Sequence, residues 1–99
     1  MGRRESDLEA RCVKWARFKG VVVAKLKEVD GIPDRIFLLP YAPLIIEFKA
    51  RGEVPKALQS WYLTTLKEAG YCTAHCDTWE EFQELWRKTA PSKMKKSRT

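Results

Sequence analysis

Hydrophobic residues recur along the chain with the period of a helix in some segments and of a strand in others. Leu8, Cys12, Trp15 and Ala16 follow one another at helical spacing and form one apolar stripe. Gly20 comes directly after this stripe and suits the position that ends a helix, since glycine readily adopts a positive φ. The pattern therefore predicts a first helix that begins near residue 6 and ends at Gly20.

Two stretches in the first half of the chain are typical of strands. Residues 21–26 (VVVAKL) are largely β-branched and predict a strand, after which Gly31 and Pro33 break the chain. Residues 34–49 (DRIFLLPYAPLIIEFK) contain two short apolar runs on either side of a Pro-Tyr-Ala-Pro turn. This second stretch predicts two more strands, and we expect them to pair as an antiparallel hairpin.

The second half of the chain predicts a helix, a fourth strand and a last helix. Pro55 fits the first turn of the middle helix and Gly70 its C-terminal end. Residues 71–76 predict a strand, which a right-handed crossover would lay parallel to the third strand. Asp77 or Thr78 is expected to cap the last helix. The apolar stripe of that helix consists of Trp79, Phe82 and Leu85 or Trp86.

These elements predict a single α/β domain of the order αβββαβα, in which helices flank a mixed four-stranded sheet. A chain of 99 residues has the size of one domain. We place the domain at residues 1–90 and a basic, flexible tail at residues 91–99. No apolar run reaches the ~18 residues of a membrane span, and an odd count of three cysteines argues against a disulfide framework. We therefore expect a cytoplasmic protein with no membrane partner.

The charge of the chain is concentrated at its C-terminal end. The net charge is +6, and the segment from residue 87 onward carries only cations. They are Arg87, Lys88, Lys93, Lys95, Lys96 and Arg98. Such a segment suits a polyanion, most simply a nucleic acid, but it is equally typical of a solubilising end.

The predicted hairpin brings together residues that are far apart in the sequence. Strand side chains alternate between the two faces, so Ile45, Glu47 and Lys49 share one face. The start of the first hairpin strand lies beside the end of the second, which places Asp34 next to Glu47 and Lys49. Two carboxylates and an ammonium in this arrangement suit a hard divalent cation and phosphodiester hydrolysis. The alternative is that Glu47 and Lys49 form a solvated pair at a strand end.

The order Asp, spacer, Glu-x-Lys resembles the PD-(D/E)XK nuclease superfamily, and within it the VRR-NUC (virus-type replication-repair nuclease) family. The matching pieces are Glu9, Gly31-Ile32-Pro33-Asp34, Ile45-Ile46-Glu47-Phe48-Lys49-Ala50, Gln59 and Gly70-Tyr71. They extend over most of the chain. The resemblance implies a restriction-endonuclease-like αβββαβ core and a Mg²⁺- or Mn²⁺-dependent DNA endonuclease. For a phage protein, the expected compartment is the host-cell cytoplasm.

The resemblance also implies a role for each matching residue. Asp34 and Glu47 would bind the metal ion, with the Phe48 carbonyl as a further ligand. Lys49 would orient the attacking water or help to deprotonate it. Gln59 would place a polar group near the catalytic end of the middle helix, although it also fits a partly exposed amide at a helix edge.

Glu9 has two competing interpretations. The sequence Ser6-Asp7-Leu8-Glu9 fits a capping box, in which Ser6 is the N-cap and Glu9 only stabilises the start of the helix. The resemblance instead implies that Glu9 lies near the metal ion and binds it directly or through water. We expect the second role.

Nucleic-acid binding is assigned to basic residues outside the carboxylate cluster. They are Lys25, Lys27, Lys56, Lys93, Lys95, Lys96 and Arg98. The resemblance to stand-alone members of the family implies a structure-specific nuclease. Such a nuclease would act as a homodimer on branched DNA, such as four-way junctions in replication, recombination or repair. The same basic residues would also serve a nucleic-acid-binding module that does not cut. A third interpretation is a small subunit of a replication complex.

Overall fold

Within residues 3–89, three helices and four strands follow one another in the predicted order. The structure is a computed structural model that describes residues 3–89, so the predicted tail at residues 91–99 lies outside the described residues. The elements are α1 (Arg3–Phe18), β1 (Val22–Lys25), β2 (Arg35–Leu38), β3 (Pro43–Phe48), α2 (Ala57–Glu68), β4 (Cys72–Cys76) and α3 (Trp79–Thr89). The prediction of an α/β fold with a mixed four-stranded sheet is confirmed.

The sheet has the strand order β1-β2-β3-β4. β1 and β3 both pair with β2 in antiparallel fashion, and β4 pairs with β3 in parallel. The predicted hairpin and the predicted parallel crossover are therefore both confirmed. In the hairpin Arg35 lies opposite Ile46, so Asp34, one residue before β2, comes level with Glu47.

An aromatic cluster closes the core on one face of the sheet. α1 and α3 contact each other and this face, and the stripes predicted for both helices point into it. Trp15 of α1 contacts Trp79, Phe82 and Trp86 of α3, with a separation of 4.7 Å between the ring centroids of Trp15 and Trp86. Phe37 of β2 packs beneath this group. These large rings pack in the same core as Cys12 and Ala16 of α1, and their burial helps to hold the helices to the sheet.

The first helix begins earlier than the sequence indicated. α1 already includes Arg3, so the prediction that Ser6 is its N-cap is wrong. Arginine and glutamate are good helix formers, and residues 3–5 therefore extend the helix by almost one turn. The other end agrees with the prediction. Gly20 has φ +85°, and Val21 donates to the Ala16 carbonyl at 3.0 Å, which satisfies the end of the helix.

The middle helix lies on the other face of the sheet. Thr73, whose side chain points away from the aromatic cluster, donates a 2.8 Å hydrogen bond to the Leu63 carbonyl of α2. α2 begins at Ala57, two residues after Pro55, so the expectation that Pro55 forms its first turn is wrong. Gly70 ends the helix with φ +106°, as predicted. Within residues 3–89, no helix has the length and apolar content needed to cross a bilayer.

Candidate active site

The site is built where the start of β2 meets the end of β3. A turn delivers the chain to this point: Gly31 has φ +84°, and a Cβ there would lie 2.5 Å from Leu58 Cγ of α2. Glycine is thus required both by the backbone conformation and by the close approach of α2. Pro33 is fully buried directly before Asp34, and the Asp34 carbonyl accepts a 2.8 Å hydrogen bond from Leu26 N. The backbone around Asp34 is therefore held on both sides.

Asp34 is bonded to the neighbouring strand. Its Oδ2 accepts a 2.8 Å hydrogen bond from the backbone N–H of Phe48, which confirms that Asp34 lies beside the Glu47-Phe48-Lys49 segment. Burial raises the pKa of Asp34; the Phe48 N–H opposes this shift, and the Glu9 carboxylate adds to it. Asp34 is thus a partly buried carboxyl group, and a nearby cation would stabilise its charged form.

Glu47 and Lys49 are buried rather than solvated. Glu47 is 2% exposed and Lys49 is 9% exposed, so the alternative of a solvated pair at a strand end is wrong. Lys49 Nζ lies 3.6 Å from Glu47 Oε2. The other oxygen, Oε1, is buried, and in the described part of the chain it is the one such side-chain atom without a hydrogen-bond partner. Burial raises the pKa of Glu47 to about 7, and the Asp34 carboxylate contributes in the same direction.

Glu9 forms an ion-paired group with two cations. Its Oε2 lies 2.6 Å from Arg35 Nε and 3.4 Å from Lys25 Nζ. The capping role for Glu9 is excluded, because α1 begins at least six residues earlier. Glu9 is close enough to Asp34 to act on its pKa, so a role near a metal ion stays a prediction. The sequence pattern does not indicate Arg35 as a site residue, although Arg35 directly follows Asp34.

Glu5 is a second acid that sequence reasoning missed. Partial burial raises the pKa of Glu5; Lys49 acts against this shift and Asp34 adds to it, so the three groups are neighbours. Glu5 and Glu9 are four residues apart and therefore share one face of α1. That spacing was visible in the sequence, but a helix that begins near residue 6 leaves Glu5 outside it.

The remaining predicted site residues lie at several places. Gln59 Oε1 accepts a 2.9 Å hydrogen bond from Lys56 N, so this side chain caps the start of α2. The Phe48 ring is buried in the core, while its N–H is bonded to Asp34. Lys27 and Lys56 are exposed, and Lys25 is paired with Glu9. The predicted binding residues Lys93, Lys95, Lys96 and Arg98 lie outside the described residues.

The carboxylate oxygens of Asp34 and Glu47 fit a hard divalent cation that keeps part of its hydration shell. Among residues 3–89, no three His, Cys, Asp or Glu side chains are grouped closely enough to hold a metal ion. Mg²⁺ is commonly bound through one or two carboxylates plus water and substrate oxygens, so the two carboxylates of Asp34 and Glu47 are enough to bind it. The buried, unpartnered Oε1 of Glu47 next to Asp34 is an oxygen that such an ion would satisfy.

Comparison with protein-family models and with curated proteins found no match to this chain.

Proposed function

We propose that this protein is a metal-dependent DNA endonuclease with a restriction-endonuclease-like core and a site of the VRR-NUC type. The element order and strand order support the proposal, because they bring the Asp34 and Glu47-x-Lys49 pieces to one end of the sheet. The metal would be Mg²⁺ or Mn²⁺, since all the candidate ligands are oxygen atoms.

The observation that carries the proposal is the state of Glu47. A carboxylate that is 2% exposed, with one oxygen unpartnered, costs folding free energy unless a cation compensates it. Lys49 compensates only in part, because its Nζ lies 3.6 Å away from the other oxygen. Buried carboxylates with a strongly raised pKa are typical of functional sites.

The proposed chemistry is phosphodiester hydrolysis. Asp34 and Glu47 would hold the ion, with the Phe48 carbonyl as a further ligand. When bound, the ion acts as a Lewis acid that lowers the pKa of water and offsets charge on the phosphate oxygens. The attacking water would add to phosphorus and give up one proton to solvent, while the bond to the leaving nucleotide oxygen breaks and that oxygen takes up a proton from solvent.

Lys49 contributes a fixed positive charge to the same reaction. Its side chain is buried beside Glu47, so little water screens it. It would orient the attacking water and favour the negative charge that develops on the phosphate in the transition state. Gln59 and Glu9 are proposed to support the site from α2 and α1.

The proposed substrate is branched DNA, such as a four-way junction, and the proposed assembly is a homodimer. A two-fold dimer would present two sites to paired strands. Exposed apolar side chains on α2 are consistent with such an interface, since Leu58 and Trp61 are 48% and 56% exposed.

The deciding experiment compares the parent protein with Glu47→Gln, which keeps the size of the side chain and removes its charge. Glu84→Gln is the matched control, because Glu84 forms an exposed ion pair with Arg87 on α3. Cleavage of labelled duplex, flap and four-way DNA is followed with EDTA, Mg²⁺ or Mn²⁺. We expect metal-dependent cutting by the parent and by Glu84→Gln, and none by Glu47→Gln.

A second readout does not depend on activity. Mn²⁺ should raise the melting temperature of the parent and of Glu84→Gln, because a ligand that binds only the folded state stabilises it. Glu47→Gln should lose this shift. Full cutting by Glu47→Gln would refute the site, and DNA binding without any cutting by the parent would favour a non-catalytic binding module.

A further inference from the structure

Two clefts meet at a stacked pair of side chains on the outer side of α1 and α3. The Arg11 guanidinium lies 4.0 Å from the centroid of the Trp79 ring. The Trp79 ring also stacks on Phe82, with 5.8 Å between the ring centroids, so the core holds this part of the surface in place. Arg11 and Trp79 line both clefts, whose volumes are about 360 and 330 Å³.

The smaller cleft is lined by cations and aromatic rings. Arg11, Lys14, Trp15, Phe18 and Trp79 line it, and no acid among residues 3–89 does. The Phe18 side chain is 87% exposed, although a phenylalanine on a helix normally packs inward. Arg11 and Phe18 are seven residues apart on α1, a distance of about 10 Å, which equals the length of about three stacked nucleotides.

The larger cleft extends from this surface to the loop that follows β3. Arg51, only two residues after Lys49, lines it together with Arg11. The loop that carries Arg51 is held by a 2.8 Å hydrogen bond from Gly52 N to Asp77 Oδ2. Asp77, one of the acids that line this cleft, therefore positions the loop. The others, Asp7 and Glu80, belong to the helices on either side.

We propose that the surface formed by Arg11, Lys14, Phe18, Arg51 and Trp79, here named the α1 strip, binds single-stranded DNA. Cations interleaved with accessible rings are what an unpaired strand requires, because phosphates pair with the cations and bases stack on rings and guanidinium planes. The C-terminal segment does not complement this surface, since residues 87–99 carry cations and no acid. That the strand is DNA, the unpaired arm of a branched substrate, rests on the proposed function.

The experiment measures binding without cleavage. All variants are made in the Glu47→Gln background and assayed in EDTA, by anisotropy of a labelled 12-nucleotide oligo(dT) and of a 12-base-pair duplex. Phe18→Ala should weaken oligo(dT) binding at least about fivefold, which corresponds to ~1 kcal/mol for the loss of one stacked base, and Phe18→Trp should restore it. Lys14→Gln should lower the steepness of the log–log salt dependence by about 0.7.

The matched controls are Tyr71→Ala and Lys67→Gln, an exposed ring directly before β4 and an exposed cation on α2, far along the chain from the strip. Both should bind oligo(dT) like the background. Three results would overturn the proposal: equal binding by Phe18→Ala and the background, an equal loss for duplex and single strand, or tighter binding of oligo(U) than of oligo(dT). Because no cutting is involved, these results are independent of the nuclease test.

Discussion

The carboxylate of Asp34 accepts a 2.8 Å hydrogen bond from the backbone N–H of Phe48, and so ties the start of β2 to the end of β3. This bond has a structural role and also fixes Asp34 beside Glu47. The two roles can be separated, because an asparagine side chain can accept the same bond without a charge.

Asp34→Asn and Asp34→Ala are therefore expected to differ in stability but not in activity. Both should abolish metal-dependent cutting, since both remove a ligand charge. Asp34→Asn should unfold at nearly the same urea concentration as the parent, whereas Asp34→Ala should lose about 1–3 kcal/mol with its hydrogen bond. Equal stability of the two variants would show that the bond to Phe48 contributes nothing.

The stability of the protein is expected to fall between pH 5 and pH 8 because of Glu47. Its pKa is raised from 4.5 to about 7 in the folded state, chiefly by burial. Below pH 4.5 the carboxyl is protonated in both states; between pH 4.5 and 7 the unfolded chain releases the proton while the folded protein retains it. Folding is therefore penalised as the pH rises, by roughly 3 kcal/mol at most.

The measurement is urea unfolding of the parent and of Glu47→Gln at pH 5 and pH 8 with EDTA. Glutamine does not titrate, so the variant should gain stability relative to the parent at pH 8 and little at pH 5. A constant difference between the two proteins across this range would contradict the prediction.

Glu9→Gln is expected to cost about 1.5–3 kcal/mol of stability, because it removes the charge that pairs with Arg35 at 2.6 Å. Both side chains are largely buried, so solvent screens this pair little. Chemical denaturation measures the loss. Glu84→Gln is the control, since its exposed ion pair should contribute less than ~1 kcal/mol. A loss of metal-dependent stabilisation in Glu9→Gln would add a role at the metal ion.

Removal of residues 91–99 is expected to weaken binding to duplex DNA and to flatten its salt dependence. The log–log slope should become shallower by about 0.9 for each phosphate that the segment neutralises, while the position of the cut stays the same. Anisotropy titrations between 50 and 200 mM salt measure the slope. An unchanged slope would assign the segment a solubilising role.

A homodimer is expected to depend on α2 rather than on α3. The aromatic side chains of α3 contact Trp15 in the core, whereas Trp61 on α2 is 56% exposed. Sedimentation at micromolar concentration with reductant should give a dimer for the parent and a monomer for Trp61→Glu. A parent that stays monomeric, also on a four-way junction, would rule out the dimer.

Local patterns in the sequence were sufficient to predict the elements and one central contact of the site. The periodicity of hydrophobic residues and the positions of glycines mark the helices and strands. The β2–β3 hairpin pairs residues that are close in sequence, so it too can be predicted locally. Side chains along β3 alternate between the two faces of the sheet, which places Glu47 on the face opposite to Ile46 and Phe48. Antiparallel pairing then brings Asp34 level with Glu47. These features depend on backbone geometry and on neighbours within about fifteen residues, so the chain itself determines them.

The environment of each charge was decided only by the tertiary structure. The burial of Lys49, the unpartnered oxygen of Glu47 and the pairing of Glu9 with Arg35 depend on how α1 lies against the sheet. A capping-box pattern suggested that α1 begins at Ser6, but good helix formers extend it to Arg3, which places Glu5 on the same face as Glu9. The contact between Arg11 of α1 and the Trp79 ring of α3 likewise exists only once the two helices pack together, because side chains far apart in sequence carry no local signal of their contact.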